Sequence, residues 1–178
     1  MLIYRKLAVA GMTLSAAAEE DGVSLIHFDS SEKTPIRLKQ LYRDTTLDAQ
    51  QGTNPLLDQL EKELDAYFLH HRKHFTLPIK LIGTAFQKAV WKQLVTIPYG
   101  ETRSYKEIAE MTGSPKAVRA VGGANNRNPL PIVVPCHRVI GSNGSLVGYA
   151  GGLEWKKKLL SIESSEELLK ETVFIKSN

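Results

Sequence analysis

One cysteine stands in the chain, Cys136, with Pro135 before it and His137 and Arg138 after it. The thiolate is the reactive form of a cysteine, and neighbouring cationic side chains favour it. Ile132-Val133-Val134 ahead of Pro135 reads as a buried strand, which would deliver the thiol to a fixed place at the strand's end. A lone cysteine in an apolar run also fits a small buried hydrophobe, and these residues alone leave both readings open.

A single cysteine cannot form an internal disulfide, which suits a reducing compartment, and it excludes a zinc site built from several thiolates. His70, His71 and His74 lie close together, with His70 and His74 one helical turn apart. They lack a nearby acidic or thiol partner, so no metal site is read there.

The elements that must hold the cysteine lie on both sides of it. Residues 2–9, 12–18 and 23–28 read as strands, and Glu20-Asp21-Gly22 suits a hairpin turn because glycine can take positive φ. A further short strand fits near 36–41. Thr53 or Asn54 can cap a helix with Pro55 in its first turn. Leu57, Leu60, Leu64, Tyr67, Phe68 and His71 then recur on one face. Residues 77–82, which include Pro78, read as a linker or edge segment.

Thr84 and Gln87 make a capping box for a helix whose buried stripe is Phe86, Val90, Trp91 and Leu94. Residues 102–128 read as a helix-turn-helix. Ser104 caps its first helix, which has Tyr105, Ile108, Ala109 and Met111 on the apolar face. Gly113 stops that helix, and Ser114-Pro115 opens a second over 115–125. Beyond the cysteine come a tight turn at 141–145, a glycine-rich loop at 146–152 and a closing helix at 153–163. That helix would bury Trp155, Leu159 and Ile162 and leave most of Lys156-Lys157-Lys158 in water. Residues 166–170 can extend it.

Pro135-Cys136-His137-Arg138-Val139 resembles the active-site signature of the O6-alkylguanine-DNA alkyltransferases. Three more blocks agree in the same order. They are Ser104-Tyr105, the run Lys116-Ala117-Val118-Arg119-Ala120-Val121-Gly122-Gly123-Ala124 leading to Asn128-Pro129, and Gly148-Tyr149-Ala150-Gly151-Gly152-Leu153. The likeness covers residues 84–163. It implies an α+β fold with a small antiparallel β-sheet plus a helix at the N-terminal end. The C-terminal part would be mostly helical, carrying the helix-turn-helix and the cysteine. The expected division is 1–82 for support, 83–163 for DNA binding and alkyl transfer, and 164–178 as an extension.

By the same resemblance Cys136 accepts an alkyl group from O6-alkylguanine, and less readily from O4-alkylthymine, in double-stranded DNA. His137 takes the thiol proton through a water, Glu163 orients His137, and Asn128 holds the turn beneath the site. Tyr105 donates to the flipped base. Arg119 fills the gap in the base stack, while Ser104, Ala117, Ala120 and Gly122 lie on the DNA-binding surface. Val139, Tyr149 and Ala150 line the base pocket. Ala150 stands where some relatives have serine, which leaves room for groups larger than methyl. The thioether product is not reducible, so each molecule acts once. The resemblance implies no cofactor and no metal, because the cysteines that hold zinc in some relatives are missing here. The chain is expected to be a monomer.

Other function classes fit parts of the sequence. A non-catalytic binder of alkylated DNA shares the surface but has another residue where Cys136 stands. A Cys-His-Glu hydrolase would turn over and needs no basic surface.

Charge is unevenly spread over the 178 residues, whose net charge is +4. Residues 84–163 hold eleven Lys and Arg against five Asp and Glu, while 1–83 hold ten against eleven. The basic excess therefore sits with the cysteine, which fits attraction to a polyanion and equally fits ordinary solubility charge. No apolar run reaches the roughly eighteen residues of a membrane span, and the N-terminus lacks a signal peptide's apolar stretch. A cytoplasmic, intracellular place with access to DNA is expected.

Overall fold

The computed structural model describes residues 1–28, 32–149 and 151–176, with side chains described as far as Ser164. Strands β1 (Leu2–Val9), β2 (Met12–Glu19) and β3 (Gly22–His27) form an antiparallel meander. Ala10 and Gly11 make its first turn at φ +47° and +78°, the left-handed pair that a two-residue hairpin needs. Strand β4 (Ala49–Gln51) adds to β1 in parallel, so the sheet, of order β3-β2-β1-β4, is mixed and not purely antiparallel. Gly22 does not take positive φ as expected. A Cβ there would stand 2.9 Å from the backbone of Ile79 and Lys80, so close approach is what requires glycine.

Side chains alternate across the sheet. Leu7, Val9, Leu14, Ala16, Ala18 and Ile26 face helix α2 (Pro55–Phe68), and Leu2, Ala17 and Leu25 face the other way. That second face is covered by helix α1 (Thr34–Tyr42) through Leu38, where a strand was expected. Pro35 in its first turn and the helical spacing of Leu38 and Leu41 favour the helix. The Asn54 side chain caps α2 by accepting from the Leu56 N–H at 2.8 Å. The α2 helix ends at Phe68 and His70 turns left-handed, so His71 is exposed and does not share the buried face.

Strand β3 is buried along its length because the rest of the chain covers its edge. Val23 N–H bonds to Pro78 O, Lys80 N–H to Val23 O, and Ile26 N–H to Pro129 O. One core cluster runs from this sheet through Trp91, Leu94 and Ile108 to Cys136, Tyr149 and Leu159.

Helix α3 (Ala85–Val95) opens with the expected capping box of Thr84 and Gln87. Trp91 is 1% exposed and its indole donates to Ala124 O at 2.8 Å, a core role. Strand β5 (Arg103–Ser104) leads into α4 (Tyr105–Met111), capped by Ser104 and Glu107. Met111 is exposed, outside the apolar face expected for it. The second helix, α5 (Val118–Asn126), starts three residues later than expected. Ser114-Pro115 instead forms a turn closed by Ala117 N–H on Ser114 O.

The apolar run before the cysteine is not a strand. Prolines 131 and 135 bracket a tight turn in which Ile132 has φ +75°, a strained value for a β-branched residue. The Asn128 side chain holds the turn, donating to Val134 O at 2.8 Å and accepting from Leu130 N–H at 3.0 Å. A single 3-10 turn over Cys136–Arg138 follows, then strand β6 (Val139–Ile140), which pairs in parallel with β5. Helix α6 (Leu153–Lys176) closes the described chain and continues unbroken past residue 163.

Candidate active site

The β5–β6 pairing sets the start of α4 beside the 3-10 turn, bringing Tyr105 toward Cys136. From α6, Lys156, Leu159 and Glu163 fall on one buried face. That face is rotated from the expected Trp155, Leu159 and Ile162 stripe, of which Trp155 and Ile162 are only partly buried. Trp155 stacks instead on Phe28, with centroids 4.5 Å apart.

Cys136 is 2% exposed. Burial pushes its thiol up to about 11, against smaller favourable effects of the Asn128 side chain and the Lys156 charge. His137 and Arg138 do not produce a thiolate at rest, as their positions in sequence suggested. Both side chains turn away to Glu163.

Glu163 is the hub. Its Oε1 accepts from His137 Nε2 at 2.7 Å, Arg138 Nη2 at 2.8 Å and the Tyr67 hydroxyl at 2.8 Å. Its Oε2 accepts from Arg138 Nε at 2.9 Å and Gly100 N–H at 3.3 Å. Arg138 also donates through Nη1 to Ile97 O at 2.6 Å. Burial alone would raise the Glu163 carboxyl, but the hydrogen bonds and charges of His137 and Arg138 outweigh it and bring it to about 2.

His137 is fully buried, and burial holds it below its ordinary range in spite of Glu163. An ionised carboxylate can only accept, so His137 Nε2 carries the proton of that bond. Nδ1 is then a lone-pair nitrogen, and it has no hydrogen-bond partner among the described residues.

On the other side of the thiol, the Tyr105 hydroxyl donates to Val147 O at 2.6 Å. Lys156 is 0% exposed, not solvated as expected. Its ammonium donates to Val147 O at 3.0 Å and Tyr105 Oη at 3.3 Å, and it forms no ion pair among the described residues. Burial lowers the lysine, while the Cys136 anion would raise it. These bonds draw the 146–149 loop over the cysteine. Tyr149 is 8% exposed, and the ionised forms of Tyr149 and Cys136 repel each other. Tyr149 of this loop packs in the same core cluster as Cys136. Two cavities of about 730 and 470 Å³ are not lined by Cys136, though Asn128 borders the first and Arg138 the second.

Sequence reasoning missed Lys156, Tyr67 and Asn125 as parts of the site, and set Arg138 beside the thiol, where the structure turns it to Glu163. Asn125 is 1% exposed and donates to Cys136 O at 3.2 Å. Its spacing from Val121 and Ala124 marks it as an inward position, and Lys156 is marked likewise by its spacing from Leu159 and Glu163. Nothing local points to Tyr67.

Of the surface residues expected at DNA, Arg119 and Ala120 are exposed, and Ala117, Gly122 and Ser104 are half-buried. The Ser104 hydroxyl is occupied in capping α4. Val139 is fully buried in β6. Ala150 lies outside the described residues. Among those described, no group of three His, Cys, Asp or Glu side chains could hold a metal ion, and no helix is long and apolar enough to cross a membrane.

The helix-turn-helix packs in one core with the 3-10 turn that carries the lone cysteine, which joins a motif common in DNA-binding proteins to a thiol. Residues 85–165 match the family described as 6-O-methylguanine DNA methyltransferase, DNA binding domain. The methylated-DNA–protein-cysteine methyltransferase of Methanosarcina acetivorans is 46% identical over 149 residues, 84% of this chain and 90% of that one. The constitutive enzyme of that name from Bacillus subtilis is 46% identical over 151 residues, 84% and 88% of the two chains. A crystal structure of the O6-methylguanine methyltransferase of Mycobacterium tuberculosis superposes with TM-score 0.77 at 41% identity, covering 93% of this chain and 94% of that one. Another, of the Mycobacterium tuberculosis protein in complex with DNA, gives 0.76 at 39%, covering 92% and 93%. The chain belongs to the methylated-DNA–protein-cysteine methyltransferase family. It is a DNA-repair enzyme that transfers an alkyl group to cysteine, on the α+β fold of that family.

Proposed function

We propose that the chain repairs O6-alkylguanine, and less efficiently O4-alkylthymine, in double-stranded DNA by moving the alkyl group to Cys136 once per molecule. One observation carries this reading: His137 is tied through Nε2 to Glu163 Oε1 at 2.7 Å and keeps a buried, unbonded Nδ1. A thiol raised by burial needs such a base.

The thiol proton passes through a water to His137 Nδ1, and the imidazolium leans on the Glu163 carboxylate. The thiolate attacks the saturated carbon in line, forming a C–S bond as the C–O bond breaks. The electron pair leaves on guanine O6, and donors at the base stabilise that anion. Tyr105 and the backbone N–H of Ala150 are assigned to this, with Val139 and Tyr149 as pocket walls. Asn128 holds the turn under the site.

The base arrives extruded from the duplex, with Arg119 in the gap and Ala117, Ala120, Gly122 and Ser104 against the DNA. The 146–149 loop lifts to admit it, exchanging the Tyr105–Val147 bond for one to the base. The product thioether resists reductants, so turnover stops at one.

We read 83–163 as the DNA-binding alkyltransferase unit, 1–82 as its support and 164–178 as an extension. The chain works as a monomer wherever it reaches DNA.

The test is intact mass after incubation with an O6-methylguanine duplex. A stable gain of one methyl on Cys136, at most one per molecule, supports the proposal. Tight binding without mass gain would mark a non-catalytic binder and overturn it.

A further inference from the structure

Helix α2 belongs to the N-terminal half, yet its Tyr67 hydroxyl reaches Glu163 across a sequence separation of 96 residues. The ring is fully buried, packed edge-on to Phe68 and Tyr99 with centroids 5.4 and 6.1 Å away. Nothing in the proposed alkyl transfer uses Tyr67. Its hydroxyl donates to the same oxygen, Oε1, that accepts from His137 Nε2.

A carboxylate oxygen has limited charge to share among donors. Each added hydrogen bond draws on it and weakens the pull on the others. Tyr67 can only donate here, because the carboxylate is ionised. We infer that Tyr67 is a positioning residue for the proposed reaction: it restrains Glu163 and moderates how strongly the carboxylate stabilises a protonated His137. The inference rests on the role given to His137 above. It makes the N-terminal half a working part of the site.

Other charged and titratable groups face the pair. Arg138 of the 3-10 turn grips both carboxylate oxygens. Lys156 of α6 opposes protonation of His137. Tyr149 of the loop feels the Glu163 charge, and Cys136 borders the same space. From the α3–β5 connection, Gly100 N–H bonds Oε2, and the Tyr99 hydroxyl donates to Ile162 O at 3.3 Å. None of these groups is itself replaced in Tyr67→Phe, so each is present in both proteins compared.

The sign follows. In Tyr67→Phe the carboxylate has one donor fewer, so it holds the imidazolium more firmly. His137 then stays protonated to higher pH, and the acid limb of the transfer rate moves upward. Replacing Tyr67 with 3-fluorotyrosine makes the hydroxyl a stronger donor and moves the limb the opposite way.

The experiment measures single-turnover methyl transfer against pH for the full chain, the two Tyr67 variants and Tyr42→Phe, a control whose hydroxyl bonds Glu19 instead. We expect a shift of about half a pH unit upward for Tyr67→Phe, a threefold rate loss on the limb, with the high-pH plateau kept. The fluorotyrosine variant shifts downward and Tyr42→Phe not at all. Limbs that coincide, or a uniform rate loss with lowered melting temperature, overturn the inference. If Tyr67→Phe does not fold, the fluorotyrosine shift decides. Transfer by the unaltered chain tests the parent proposal separately, because its absence removes the limb altogether.

Discussion

Tyr105 spends its hydroxyl on Val147 O, 2.6 Å away, in the loop that covers Cys136. The bond ties down the loop, while the proposed chemistry assigns the same hydroxyl to the base. Tyr105→Phe should therefore act in opposite directions on two assays. Transfer from O6-methylguanine DNA should fall about tenfold or more, as loss of a donor to a leaving anion does. Alkylation of Cys136 by iodoacetamide should become faster because the loop is released. Equal slowing of both would count against the dual role.

Lys156 holds an ammonium in the core with no carboxylate to pair with among the described residues. Burying such a group costs stability, and an apolar side chain of similar length avoids that cost. Lys156→Met should keep or raise the melting temperature. The thiol loses a favourable charge in that variant, so the pH midpoint of iodoacetamide reaction at Cys136 should move up, with transfer about tenfold slower. Lys156→Arg keeps the charge and should keep much of that midpoint.

Glu163 shapes acid stability. Its carboxyl sits at about 2 in the folded chain against an ordinary 4.5. A depressed carboxyl contributes stability that is fully present above the unfolded value and is lost as pH falls toward the folded one. Urea titrations should thus lose on the order of 3 kcal/mol between about pH 5 and 2 from this group. Glu163→Gln should flatten that window. It should also cost about 3–5 kcal/mol at pH 7 by leaving Arg138 buried without its anion.

Methylation itself should loosen the protein. Cys136 is 2% exposed within the main core cluster, so an added methyl meets packed neighbours. A cost of about 1–3 kcal/mol is the usual range for such overpacking. Scanning calorimetry before and after stoichiometric reaction should read a fall of several degrees, and an unchanged transition would contradict it.

The sequence by itself determined what neighbouring residues decide. Alternation drew β1 to β3, Asn54 and Pro55 opened α2, Thr84 and Gln87 opened α3, and Gly113 broke the helix-turn-helix. The hydrogen bond between His137 and Glu163 was expected from the family resemblance. Only the tertiary structure decided the rest. The run 132–134 looked like a strand, but Asn128 and two prolines bend it into a turn at Ile132. Lys156 looked solvated because a charge run usually is. Its burial depends on Tyr105 and Val147, which lie far from it in sequence or in an irregular loop. Tyr67 looked like a core aromatic, and its hydroxyl found Glu163 only when two distant helices packed. Local pattern reports which face of an element is buried. What that face meets is set by packing between elements, and the Glu163 hydrogen-bond network was set there.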